Sequence, residues 1–147
     1  MKLSTHTRPG WSFWVIGVLA LLWNAIGAFD YVMTQTGNAE YLSQFNDAQI
    51  AFFYGFPAWV QGAWAVAVWF SVLGALLLLL RRRLAVPVFA ISLVAMVVTA
   101  IHNFWIASPS MTDLMGGFAA AFSAVIFVVA VFLLWYSRRL GRRGLLR

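Results

Sequence analysis

Long apolar runs sort the charged residues of this chain into separate segments. The basic residues fall in three clusters, at Lys2 and Arg8, at Arg81–Arg83 and at Arg138–Arg147. The four acids lie between these clusters, at Asp30, Glu40, Asp47 and Asp113. Because loops rich in Lys and Arg stay on the cytoplasmic side of a membrane, each basic cluster marks an inner face and each acidic stretch an outer face. The pattern predicts that both termini are cytoplasmic.

The composition indicates a membrane protein. Of the 147 residues, 63% are hydrophobic and 10% are charged, which is too apolar for a protein that must cover its surface with polar side chains in water. The length fits one domain, residues 1–147, and the long apolar run at its start predicts a retained first span. Having no cysteine excludes disulfide exchange and thiolate catalysis.

The net charge of +6 would suggest nucleic acid as the partner of a soluble protein. Here the basic residues adjoin apolar spans, so we expect anionic lipid headgroups as the counter-charge and no nucleic acid. The predicted headgroup contacts are Arg81, Arg82, Arg83, Arg138, Arg139, Arg142 and Arg143.

Four stretches are long enough to cross a hydrocarbon core of ~30 Å, which needs ~20 helical residues. They cover about 11–33, 57–80, 84–106 and 114–136. The sequence therefore predicts an all-α, four-helix transmembrane bundle. Pro57 should break the second apolar run, which leaves 47–56 as a short interfacial helix capped by Asn46 or Asp47. One kinked helix is the alternative.

Three further signals mark helix ends in the predicted outer loops. Gly37 is placed to end the first helix, and Asn38 to cap a helical turn that follows it. In the other outer loop, Thr112 or Asp113 is predicted to cap the fourth span.

Polar residues inside lipid are costly and usually face the bundle interior or a cavity, so they are the natural functional candidates. In this chain they gather in the outer halves of the first three spans, beside aromatic residues suited to a sugar ring or an amphiphile headgroup. The predicted ligand-binding set is Asn24, Asp30, Tyr31, Trp59, Gln61, Thr99, His102, Asn103 and Trp105.

Several of these residues also have a simpler structural interpretation. Asn24 can join helices, Asp30 can be a solvated surface carboxylate, and His102 can be a hydrogen-bonded bundle histidine. The tryptophans, including Trp59 and Trp105, can form the aromatic belt at the membrane surface.

No pattern of catalytic residues is visible, and we expect neither enzymatic activity nor a cofactor or metal. A bis-histidine haem needs two histidines in reach, and His6 is predicted on the face opposite His102. A Cu(I) site of His102 with Met111 and Met115 is a weaker alternative.

Small residues at helical spacing indicate close helix contacts. One seam is predicted on the second span and another on the fourth. These seams either close the four-helix bundle or dock a second protein. Their residues are Ala63, Ala67, Ser71 and Gly74, and Gly116, Ala120 and Ala124.

Several short motifs are shared with one group of proteins. They are Trp23-Asn24, Gly27, Asp30-Tyr31, Met33-Thr34, Pro57-Ala58-Trp59, 65–68, Leu73-Gly74, 78–81, Pro87-Val88-Phe89 and Ser92-Leu93. On these residues the chain resembles a family of small bacterial four-span proteins often labelled "sugar transporter". The resemblance implies a four-helix inner-membrane protein and assigns no residue roles. Family members tend to have a Tyr where this chain has Ile101-His102.

Two functions fit these observations. The first is binding or transport of a small solute or amphiphile through an outward-facing polar and aromatic pocket. The second is an accessory subunit that stabilises a larger membrane complex. A homo-oligomer or a larger membrane complex is compatible with both.

Overall fold

A computed structural model describes residues 8–147, so Lys2 and His6 lie outside the described residues. This part of the chain is helical and has four helices long and apolar enough to cross a membrane, which confirms the predicted four-helix bundle. The elements are α1 (Trp11–Gln35), α2 (Ala39–Leu42), α3 (Asp47–Tyr54), α4 (Ala58–Leu79), α5 (Ala85–Ile101), a π-helical turn (His102–Ile106), α6 (Met111–Met115) and α7 (Gly117–Arg142).

The small-residue seam on α4 closes the bundle against α5. A Cβ atom added at Gly74 would lie 2.7 Å from the ring of Phe89, so the two backbones approach as closely as glycine allows. About two turns before Gly74 on α4, the carbonyl oxygen of Ala67 accepts a hydrogen bond of 2.6 Å from the hydroxyl group of Ser92 on α5. Helix α4 lies between α1 and α5, and α7 packs on α5.

The hydrophobic core lies at one end of the bundle, which we call the inner end. It joins the start of α1, the end of α4, the start of α5 and the last turns of α7. The basic residues of the described chain lie at this end, whereas Asp30, Glu40, Asp47 and Asp113 lie on the elements of the opposite, outer end. The fold therefore sorts the charges as predicted. The core residues are Phe13, Ala20, Ala75, Leu78, Ala85, Phe89, Leu133, Leu140 and Leu146.

The segment after α7 folds back onto the α4–α5 loop. Main-chain hydrogen bonds run from Arg83 N to Arg147 O at 2.8 Å and from Arg147 N to Arg81 O at 2.6 Å. The guanidinium Nε atoms of Arg81 and Arg83 donate to the carbonyl oxygens of Leu145 and Leu146. We call this pairing of 81–83 with 145–147 the inner ladder. It brings two basic clusters together and holds the Leu146 side chain, 1% exposed, in the core.

The predicted short helix before the second span is confirmed as α3. Asn46 is its N-cap. The Asn46 side chain accepts a hydrogen bond from the Gln49 backbone N–H, and the Gln49 side chain accepts one from the Asn46 backbone N–H, which together form a capping box. The chain leaves helical geometry at Gly55 and re-enters it at Ala58, so the alternative of one kinked helix is wrong. Gly37 follows the end of α1 with φ of 65°, as predicted for a glycine that terminates a helix.

The second outer loop differs from the prediction. Ser110, not Thr112 or Asp113, is the capping residue, and it caps the extra helix α6 rather than the fourth span. The Ser110 hydroxyl and backbone N–H both bond the Asp113 carboxylate and hold the pKa of that group below its usual value. The fourth span then starts at Gly117, after Gly116 turns the chain with φ of 70°.

Candidate functional site at the outer end

Aromatic rings from several elements fill the outer end of the bundle. Neighbouring rings are 4.9–6.2 Å apart between centroids, mostly in edge-to-face pairs, which is the favoured geometry for aromatic side chains. Helix α3 and the start of α4 supply four of the nine rings. We call this set the outer aromatic layer: Tyr31, Tyr41, Phe45, Phe52, Phe53, Phe56, Trp59, Trp64 and His102.

His102 lies within this layer and is 7% exposed. Its imidazole contacts two rings edge to face, Phe56 at 5.4 Å and Trp59 at 5.6 Å between centroids. Both neighbours flank the break between α3 and α4, so the Gly55–Pro57 turn positions the walls around the imidazole. Trp59 is 51% exposed and forms the rim of this site.

The π-helical turn brings His102 and Asn103 to the interior together. Ala107 N bonds the carbonyl oxygen of His102 at 2.8 Å, which closes a turn one residue wider than an α-helical turn. The wider turn allows both consecutive side chains to be buried, although they would point about 100° apart in an α-helix. Such turns are frequent at functional sites.

The contacts of Asn103 favour one tautomer of the imidazole. Its Nδ2 group faces the sulfur of Met111 at 3.9 Å, and a thioether sulfur only accepts hydrogen bonds. The Asn103 Oδ1 atom therefore faces Nδ1 of His102, at 3.3 Å, and being a carbonyl oxygen it also only accepts. In this pairing Nδ1–H is the donor, and the tautomer that makes it presents the lone pair of Nε2.

Nε2 of His102 has no hydrogen-bond partner among residues 8–147. Every side-chain nitrogen and oxygen that is fully enclosed in this part of the chain has a partner. Nε2 is therefore not fully enclosed by protein atoms. It is an accessible hydrogen-bond acceptor next to the rings of Phe56 and Trp59. A hydroxyl or another neutral donor is the chemical group that fits this atom.

Asp30 and Tyr41 form a second polar contact at the outer end. The Tyr41 hydroxyl donates to Oδ1 of Asp30, which ties the short helix α2 to α1. Burial, together with the hydrogen bond and the charge of Asp30, raises the pKa of Tyr41 above its ordinary value. Asp30 is half-buried, so it is neither a fully solvated surface carboxylate nor an enclosed one.

The other predicted residues of the second and third spans lie around this layer with partners of their own. Gln61 accepts a hydrogen bond of 2.8 Å from Gln35, and the Thr99 hydroxyl donates to the carbonyl oxygen of Ala95 on its own helix. Tyr31 packs edge to face on Trp64. Trp105 is 77% exposed and faces away from the bundle.

Asn24 is separate from the other predicted residues. It lies halfway along α1, and its Nδ2 group donates to the carbonyl oxygen of Ala20 at 2.9 Å. Together with Ser71 and Ser92 it lines a cavity of about 20 Å³ between the spans. That volume has room for one water molecule, so this cavity is too small for the predicted solute.

The structure thus brings together Trp59, His102 and Asn103, and joins Asp30 to the same aromatic layer through Tyr41. Sequence reasoning did not include Phe56 or Trp64 in the site, and it named Met111 only in the Cu(I) alternative with His102. Pro57 marked the chain break beside Phe56 but gave no direction for the Phe56 ring. No signal pointed to the π-helical turn.

Three features therefore define the candidate site: a buried imidazole with an available acceptor nitrogen, an amide that orients it, and two aromatic walls, of which Trp59 is half-exposed and forms the rim. The described residues contain no group of three or more His, Cys, Asp or Glu side chains placed to hold a metal ion. No protein-family model matches the chain, and no curated protein or solved structure shows significant similarity to it.

Proposed function

We propose that this multi-pass membrane protein binds an amphiphile with a hydroxylated headgroup at its outer end, in the inner membrane of a bacterium. The supporting observation is the acceptor nitrogen Nε2 of His102, which is unpartnered among the described residues and lies between the rings of Phe56 and Trp59. The resemblance of the sequence to small four-span bacterial proteins agrees with this location.

The site chemistry favours a neutral donor over an ion. Aromatic faces pack against the apolar faces of sugar rings, and the imidazole lone pair accepts a hydrogen bond from a hydroxyl group. The site lies near the end of the third span. The ends of spans are where tryptophan and tyrosine side chains meet lipid headgroups, which supports an amphiphile as the ligand. The acyl or alkyl chain of such a ligand would extend along the exposed apolar surface of the bundle.

Replacing His102 by leucine should weaken binding of a sugar-headed amphiphile by roughly tenfold, because the hydroxyl donor loses its buried partner. The probe is n-octyl β-glucoside, titrated below its micelle concentration into the protein held in phosphatidylcholine nanodiscs. Binding is followed by the imidazole NMR resonances, which are few because the chain has two histidines, and by tryptophan fluorescence in the leucine variant.

The matched ligand is the fully O-methylated glucoside, which keeps the chain and ring but has no donor. The matched protein is Trp105→Leu, which removes an exposed tryptophan whose ring packs against Phe104 rather than against His102. Equal binding of both glucosides, or unchanged binding by His102→Leu, would refute the proposal.

A second candidate, an accessory subunit of a larger membrane complex, is favoured by the outer half of α7. The seam predicted there does not close the bundle. Ala120 and Ala124 are exposed, and a Cβ atom added at Gly116 or Gly117 would meet nothing within 4 Å. In a membrane, small residues exposed in this way allow another helix to approach closely.

For this second candidate, the variant Ala120→Leu/Ala124→Leu should lose a stoichiometric partner that co-purifies with the wild-type chain in mild detergent. The bulkier side chains would prevent close helix approach. Val94→Leu, at an exposed position of α5, serves as the control and should keep the partner. A wild-type chain that purifies alone as a single species would contradict the subunit role.

A further inference from the structure

One face of α7 carries apolar side chains at mid-membrane and arginines at the inner end. Its residues follow the spacing i, i+4, i+7, i+11 and i+14, so they lie one above another along the helix. The three apolar members are exposed and line a shallow surface groove. We call this set the α7 stripe: Val128, Phe132, Trp135, Arg139 and Arg142.

The dimensions of the stripe match one leaflet of a bilayer. From Val128 to Arg139 the helix rises about 16 Å, at 1.5 Å per residue, and half of a hydrocarbon core is about 15 Å thick. An acyl chain lying in the groove would therefore place its phosphate at the level of Arg139 and Arg142.

Arg139 is held in position by a ring. Its guanidinium carbon lies 5.3 Å from the centroid of Trp135, a cation–π contact that orients the charge along the stripe. Phe132 packs against Trp135 with centroids 5.9 Å apart, so the groove and the charge are parts of one surface. Arg142 follows less than one turn later and is exposed.

The arginines of α7 have no acidic side chain on their own helix. All four acidic side chains of the sequence belong to the outer elements or to the outer part of α1. The inner ladder brings Arg82 and Arg83 to the same end as the arginines of α7. A negatively charged partner is the one that this surface fits.

We infer that the α7 stripe binds one anionic phospholipid, with an acyl chain in the groove of Val128, Phe132 and Trp135 and the phosphate on Arg139 and Arg142. This site goes beyond the proposed outer-end function and does not depend on it. The site is a defined position rather than a general attraction of basic residues to the membrane. The groove would hold the acyl chain, and the arginine that Trp135 orients would hold the phosphate of the same lipid molecule.

The full chain is delipidated in neutral detergent and titrated with phosphatidylglycerol or with phosphatidylcholine of the same acyl chains. Native mass spectrometry then counts the bound lipids. We expect one tightly bound phosphatidylglycerol, and binding roughly 30-fold weaker in Arg139→Gln/Arg142→Gln, since each arginine near a headgroup contributes a factor of about 5 to 6.

The matched control is Arg8→Gln/Arg82→Gln, which removes two exposed charges from the same end but not from α7. We expect its binding to stay within about threefold of the wild type. Equal losses in the two double variants would show diffuse attraction and overturn the inference. Equal binding of phosphatidylcholine, or full displacement of the lipid by inorganic phosphate, would overturn it as well.

Discussion

Replacing Gly74 by leucine should destabilise the bundle by about 3 kcal/mol or more. Even a Cβ atom at this position would lie 2.7 Å from the Phe89 ring, far inside normal contact, and the ring is buried and has little room to move. Helices α4 and α5 would have to separate, and the hydrogen bond from Ser92 to Ala67 along the same seam would lengthen. Unfolding by SDS titration in mixed micelles measures this loss.

The same helix provides the control. A Cβ atom at Gly62 meets nothing within 4 Å, so Gly62→Leu should leave the stability unchanged or raise it, because leucine favours the helix more than glycine does. Similar losses in the two variants would mean that the helix tolerates no leucine in place of glycine and that the Phe89 contact is not the cause.

The Leu146→Ala variant is expected to lose about 2–3 kcal/mol of stability and to release the inner ladder. The Leu146 side chain is 1% exposed and fills the inner core next to residues of α1, α5 and α7. Unlike a lipid-facing leucine, it would move into water on release, so its burial gains the full transfer free energy.

Thermal unfolding in mild detergent measures this change, and hydrogen exchange at the amides of Arg83 and Arg147 reports the ladder itself. Leu84→Ala is the control, because Leu84 lies at the same end but is 63% exposed. It should change the stability by less than about 0.5 kcal/mol. Protected Arg147 amides in Leu146→Ala would contradict the link between core and ladder.

The spans and the sorting of charges could be predicted because both follow from local composition. Long apolar runs and basic clusters are visible in the sequence itself, and α3 was predicted from Pro57 and a cap at Asn46 or Asp47, of which Asn46 is the N-cap. The start of the fourth span was misplaced because Ser110 and Asp113 form a capping box of their own, and a separate turn of helix precedes Gly117.

The inner ladder and the π-helical turn could not be predicted in the same way. The ladder consists of main-chain hydrogen bonds between residues more than sixty positions apart. Such bonds do not require a particular pattern of side chains, so the sequence does not indicate them. The π-helical turn depends on burying His102 and Asn103 together, whereas helical periodicity assigns consecutive residues to different faces.

The candidate site was predicted in part. Polar residues near the outer ends of the spans were identified by their cost in lipid, and Trp59, His102 and Asn103 do come together. Asn24 was grouped with them because its position along the first span was the only guide to its depth in the membrane. The structure places it at the centre of the bundle, where it binds its own helix.

The inner ladder also affects how force acts on the chain. A machine that pulls the chain from its C-terminal side, such as a membrane-extracting protease or the tip of a force microscope, must first separate 145–147 from 81–83 before it can draw α7 out of the bilayer. The first resistance to extraction therefore comes from a few main-chain bonds and one leucine, ahead of the work of moving an apolar helix through lipid.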